Sequence, residues 1–116
     1  MTELPSVVQQ ALALTDRLQF ARSCSDEFGR LLRTLAAHCR GGRVAEIGTG
    51  CGVGAAWVVS ALTSTASFVT VDLDPERAAA VRELFQDYPA VRVLEGDWRN
   101  LAAEAPFKLA QPAVTY

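Results

Sequence analysis

In RVAEIGTGCGVGAAW, residues 43–57, glycine occupies every second position from Gly48 to Gly54, with an apolar run on either side. Ordering a glycine costs more backbone entropy than ordering any other residue, so the cluster marks a turn at which backbone must approach something closely. What flanks it limits the fold. RVAEI reads as a short buried strand and AAWVVSAL as a helix, with Trp57 as its core anchor. SFVTVD, rich in aromatic and β-branched residues, reads as a second strand. Asp74-Pro75 then opens another helix, with an N-cap, a proline at the first position and Glu76 at the positive end of the dipole. Ala80, Val81, Leu84 and Phe85 give that helix an inner face, Asp87-Tyr88-Pro89 ends it, and VRVLE is a third strand. Crossovers between parallel strands are right-handed, so the pattern predicts an α/β fold with parallel strands ordered 3-2-1 and flanking helices.

Two helices precede this unit. Pro5 starts the first, whose apolar face holds Val7, Val8, Ala11, Leu12, Thr15 and Leu18. In the second, Ser25 is the N-cap, Asp26 and Glu27 lie in the first turn, and Gly41-Gly42 end it. Its stripe of Phe28, Leu31, Leu32, Leu35, Ala36 and Cys39 is expected to pack on the sheet, with His38 solvated or facing the dipole at the C-terminus. Half of the 116 residues are hydrophobic and the net charge is -2, which fits one globular unit and lacks the basic stripe of a nucleic-acid binder. The first twenty residues have no signal-peptide pattern and no run suits a membrane span, so a cytoplasmic protein is expected. Cys24, Cys39 and Cys51 match no zinc spacing and read as reduced thiols in core or loop.

Open parallel sheets bind ligands beyond the carboxyl ends of their strands. Three features fall there: the glycine turn, Asp72 at the end of the second strand, and Asp97 after the third, in GDW. A helix start behind a glycine turn favours negative charge, and a carboxylate can accept ribose hydroxyls, so the crevice suits a nucleoside. Glu46, next to the turn, is costly to bury without a polar partner and reads as part of the same site. GCGVGA, residues 50–55, also satisfies G-x-G-x-x-G/A, which leaves an NAD-type dinucleotide-binding half-domain as an alternative.

Taken together, VAEIGTGCGVGAAW, FVTVDLDPERAAAVRELF and VRVLEGDW resemble the class I S-adenosylmethionine-dependent methyltransferases. The closest likeness is to the small-molecule O-methyltransferases related to catechol O-methyltransferase, over about residues 23–98. The resemblance implies a Rossmann-like fold, S-adenosylmethionine as cofactor with S-adenosylhomocysteine as product, and a small hydroxylated acceptor. It places Glu46 near the methionine ammonium and Gly48, Gly50 and Gly52 under the methionine and ribose. Asp72 would hold the ribose hydroxyls, Leu73 the adenine face, Asp97 the adenine amino group, and Trp98 would give the ring a backbone N–H and an aromatic edge. Gly54 departs from the family, which often has Ser or Thr there for the methionine carboxylate. That contact would fall to backbone, Ser23 or Ser25.

By the same resemblance, relatives bind Mg²⁺ through an Asp after a fourth strand, followed by a Lys or an Asp-Asn pair. Here APF leads into Lys108 where relatives have Asp, AQPAVTY has no acid, and Pro112 argues against a full central strand. The expected organisation is a single incomplete domain: N-terminal helices over residues 1–40, a cofactor-binding βαβαβ unit over 41–98 and an atypical tail over 99–116. Such a chain, truncated after its third strand, is expected to lack a metal site and catalytic residues and to be inactive alone. With its first strand an open edge, it is expected to form a homodimer or higher oligomer without nucleic acid or membrane. A non-enzymatic oligomerising module is the remaining alternative.

Overall fold

The computed structural model describes residues 3–21, 24–101 and 114–115. Helices α1 (Ser6–Arg17) and α2 (Asp26–Ala37) come first, followed by β1 (Arg43–Ile47), α3 (Val53–Val59) and β2 (Ser67–Asp72). After these come α4 (Pro75–Leu84), β3 (Val91–Glu95), the short α5 (Trp98–Leu101) and β4 (Val114–Thr115). All strand pairings are parallel and the order is β3-β2-β1-β4. The expected 3-2-1 arrangement is present, extended by one strand. β4 pairs with β1 at Val44 and Ala45, so β1 is not the open edge that the sequence suggested. Lys108 and Pro112 lie outside the described residues, as does Ser23.

Register assigns the sheet residues to faces. Val44 aligns with Phe68 and Val91, and Glu46 aligns with Thr70 and Val93. Val44, Phe68 and Val93 share one core with buried residues of α1, α2, α3 and α4, so this is the helix-covered face. Ala45, Val69 and Val71, which alternate with them, are buried on the opposite face. All seven residues of α3 are buried, and Trp57 at its middle is fully enclosed. α1 and α2 both pack on α3, and α1 also meets α4.

Two local devices set the entry to the site. α1 ends in a Schellman arrangement: Gln19 takes a left-handed φ of 52°, its N–H donates to the Asp16 carbonyl, and the Phe20 N–H donates to Thr15. This turn delivers the Phe20 ring to the glycine loop. In α2 the Ser25 hydroxyl accepts from the Phe28 N–H at 3.2 Å, the cap read from the sequence. α2 packs chiefly on α3 rather than on the sheet as expected, and its inner face is narrower than the stripe suggested. Gly29, Leu32 and Ala36 are buried, whereas Phe28, Leu31 and Leu35 keep 49%, 51% and 44% exposure. The reason is Gly29, whose missing side chain lets the Trp57 indole lie against the α2 backbone: a Cβ there would fall within 2.2 Å of Nε1. The helix therefore docks on its glycine edge and turns two of its three leucines outward.

Candidate functional site

The loop between β1 and α3 carries the site. Gly48, Gly50 and Gly52 all have positive φ, at 88°, 58° and 84°, a conformation that side-chain-bearing residues rarely adopt. The Gly48 and Thr49 N–H groups both donate to the Val71 carbonyl, which ties the loop across to β2. Gly52 is the N-cap of α3, and a Cβ there would press on Val81 and Leu84 of α4, so its role is close packing.

The crevice at the carboxyl ends of the strands has two lobes that meet at Ile47, Gly48 and Asp72. The larger, about 380 Å³, lies between the glycine loop and the start of α2 and is walled by Phe20, Cys24, Phe28, Leu32, Glu46 and Gly54 among others. The smaller, about 200 Å³, lies over the ends of β2 and β3 and is walled by Val71, Leu73, Arg77, Gly96 and Trp98. Leu73 and Trp98 stay exposed in its rim, at 69% and 44%.

Glu46 is 4% exposed on the helix-covered face, in the wall of the larger lobe. The Thr70 hydroxyl donates to its Oε1 at 2.6 Å, and the Thr49 hydroxyl lies 2.6 Å from that of Thr70, which makes a buried chain of three polar side chains. Its second oxygen, Oε2, would stand 3.0 Å from a Cβ on Gly54. The departure at Gly54 thus has a local cause: a side chain there would press on Glu46.

Asp72, 7% exposed, sits between the lobes. Its Oδ2 accepts from the Gly50 N–H at 2.9 Å, and its Oδ1 accepts from the Asp74 N–H at 2.8 Å and from Arg77 Nη2 at 3.0 Å. The acid at the end of β2 therefore fixes the glycine loop as well as facing the crevice. The Arg77 guanidinium also lies 4.9 Å from the centre of the Phe20 ring, and that ring would meet a Cβ on Gly50 at 3.0 Å.

Asp97 is placed differently. Its carboxylate accepts from the backbone and side chain of Arg99 at the start of α5, which holds its pKa below the usual carboxylate value, and it lines neither lobe. Of the residues singled out from the sequence, Glu46, Gly48, Gly50, Asp72, Leu73 and Trp98 converge on the crevice. Gly52 packs behind the loop and Asp97 lies beside it. Phe20, Phe28, Thr49 and Arg77 belong to its walls and network without having been singled out. Arg77 stands inside the quoted DPER stretch, but nothing in its spacing tells a surface arginine from one folded onto Asp72.

Both thiols of the larger lobe are held neutral. Burial, reinforced by the charges of Glu46 and Asp26, pushes Cys24 up to about 11, and burial raises Cys51. Among the described residues no group of three or more His, Cys, Asp or Glu is arranged to hold a metal ion. No helix among them is long and apolar enough to cross a membrane.

No family model matches the chain. A protein of Mycobacterium ulcerans named "Putative O-methyltransferase" is 36% identical over 59 residues, which are 51% of this chain and 26% of that protein. The O-methyltransferase TomG of Streptomyces achromogenes, solved in complex with SAM, superposes with a TM-score of 0.78 at 18% identity, over 91% of this chain and 51% of TomG. An O-methyltransferase of Bacillus cereus, solved with SAH, gives a TM-score of 0.76 at 21% identity, over 90% of this chain and 51% of the other. The chain thus has the Rossmann-like fold of class I methyltransferases, and its curated homologues carry O-methyltransferase names. The matched region spans about a quarter of the length of those relatives and the superposed region about half of the solved chains.

Proposed function

We propose that this chain is the S-adenosylmethionine-binding portion of an O-methyltransferase that acts on a small hydroxylated acceptor. The observation that carries the reading is the bipartite crevice: a carboxylate, Glu46, in the wall of one lobe, an open apolar lobe over β2 and β3, and Asp72 between them. A cofactor with an ammonium at one end, a ribose diol in the middle and an adenine at the other matches that sequence of walls. An anionic pyrophosphate would have to lie near Glu46, which is unfavourable at any short separation.

In this assignment Glu46 attracts the methionine ammonium and the glycine loop passes beneath methionine and ribose. Asp72 accepts from the ribose, and Leu73 and Trp98 sandwich the adenine edge. Asp97, beside the crevice with both carboxylate oxygens engaged by Arg99, would serve the adenine amino group by exchanging part of that pairing for it. When bound, the cofactor supplies a sulfonium methyl for in-line transfer to an acceptor oxygen. None of the roles assigned here to this chain's residues is proton removal from that oxygen, and Mg²⁺ has no assigned ligands among the described residues. The chain is therefore expected to bind cofactor without turnover.

Self-association belongs to the same reading, through the outer face of α2. Phe28, Leu31 and Leu35 form an exposed apolar row, with Asp26 and Glu27 at one end of the helix and His38 and Arg40 at the other. An antiparallel pair of α2 helices from two copies sets acidic end against basic end, so a second copy is the occupant that the row fits.

Calorimetry tests the cofactor assignment. Titration with S-adenosylhomocysteine and with NAD should give tighter binding of the former, and tighter binding of NAD would overturn the assignment.

A further inference from the structure

Asp72 is the residue through which the crevice would recognise a ribose, and a carboxylate offers about four lone-pair positions for hydrogen bonds. Three are already filled inside the protein: one on Oδ2 by the Gly50 N–H, and two on Oδ1 by the Asp74 N–H and Arg77 Nη2. The backbone donors are fixed by the glycine turn and the start of α4. Arg77 is the only side chain among these donors.

Its placement is over-determined. The guanidinium reaches Asp72 Oδ1 at 3.0 Å and Asp74 Oδ2 at 3.6 Å, and it stacks on the Phe20 ring. Its Nε is buried without a hydrogen-bond partner among the described residues, so the side chain gives up a solvated donor to sit there. Arg77 also walls the smaller lobe, beside the position where the sugar must pass between the two lobes.

We infer that Arg77 is a specificity-determining residue for the nucleoside: by occupying the outer position of Asp72 Oδ1, it leaves the acid able to grasp one ribose hydroxyl through Oδ2 rather than both. The inference rests on the crevice being a nucleoside site. It adds that the two hydroxyls of the diol contribute unequally, and that a residue outside the glycine turn and the strand-end acids is the cause. It also explains the seating of Phe20. The ring lies 4.9 Å from the guanidinium and helps keep it from swinging into solvent when the sugar arrives.

The experiment compares S-adenosylhomocysteine with its 2′-deoxy and 3′-deoxy analogues by calorimetry, on the full chain and on an Arg77→Met variant whose fold is checked by circular dichroism. In the unaltered chain, loss of one hydroxyl should weaken binding at least about tenfold and loss of the other less than about twofold, given the strength of a hydrogen bond to a charged group. In Arg77→Met both deletions should cost about tenfold, because Oδ1 is then open. Equal losses in the unaltered chain, or no loss for either analogue, would overturn the inference. One-sided loss that persists in Arg77→Met would also overturn it, since the asymmetry would have another source. If Arg77→Met does not fold, Arg77→Leu, which also lacks a donor, takes its place, and equal losses for the two analogues on the unaltered chain overturn the inference without any variant. Failure of S-adenosylhomocysteine itself to bind would instead overturn the nucleoside reading, an outcome separate from all of these.

Discussion

Asp72 holds the glycine loop through Gly50 and faces the crevice, so removing it acts twice. Asp72→Ala should weaken S-adenosylhomocysteine binding by roughly 1–3 kcal/mol, the scale of a hydrogen bond to a charged partner. Unchanged affinity in calorimetry would remove Asp72 from the site. Cys24 makes a different point at the same scale. Its thiol ionises near 11 in the fold against 9.0 in the open chain, chiefly through burial. Alkylation by iodoacetamide should therefore stay slow at pH 8 and accelerate only as the pH approaches 11. Between 9 and 11 the folded state binds more protons than the unfolded one, so stability should fall as pH rises through that window. Fast alkylation at pH 8 would show that the thiol is not held as described. Glu46 and Asp72 were legible as crevice residues from their places beside the glycine turn and at a strand end, whereas Asp97, read by the same rule, pairs with Arg99 beside the crevice. Phe20 and Arg77 were not, since their places depend on a turn after α1 and on a side-chain path that no spacing encodes.

α2 shows where element-level reading stops. Its boundaries and cap follow from Ser25, the acids of the first turn and the glycines after it, but its buried face does not follow from apolar spacing alone. Gly29 decides that face by admitting the Trp57 ring, and no pattern of leucines announces which glycine a distant indole will use. Leu32, 4% exposed, and Leu31, 51% exposed, are thus neighbours with different fates. Leu32→Ala should destabilise the fold by roughly 2–5 kcal/mol, while Leu31→Ala, measured dilute enough to keep the chain monomeric, stays within about 0.5 kcal/mol. Equal shifts in the denaturation midpoint would mean that the helix is rotated from the position described. Gly29→Ala sets two effects against each other: alanine favours the helix by roughly 1 kcal/mol, but its Cβ would lie 2.2 Å from the Trp57 nitrogen. Overpacking of that kind costs about 1–3 kcal/mol or more, so net destabilisation is expected. The turn after α1 offers the converse case. Gln19→Gly removes a left-handed strain of about 1 kcal/mol and should raise the midpoint without moving Phe20.

For the whole molecule, the sheet order was legible because the handedness of crossovers leaves little choice once strands and helices alternate. The pairing partner of β1 was not, because a strand of two residues, Val114–Thr115, carries too little pattern to be read. That pairing changes the expected mode of association. β1 is covered at Val44 and Ala45, and at the other edge β3 is short, bears the exposed charges of Arg92 and Glu95, and has its Val93 carbonyl taken by Arg82 Nη2 at 2.9 Å. Charged, short and partly satisfied edges resist strand addition. The apolar surface available for association is instead the outer row of α2, where a single charge inside a paired interface would be buried at a cost no exposed surface imposes. Leu31→Glu should therefore convert a dimer to a monomer in light scattering with an unchanged circular dichroism spectrum, and should abolish the concentration dependence of the midpoint that a dimer confers. A dimer that survives Leu31→Glu would return the interface to the sheet. The same preparation, offered S-adenosylmethionine, Mg²⁺ and a catechol-like acceptor, should bind cofactor and form no methylated product, because no residue assigned to the crevice accepts the acceptor's proton. Turnover would mean that a base lies outside the roles assigned here, and that cofactor binding and catalysis are not divided in the way the two lobes suggest.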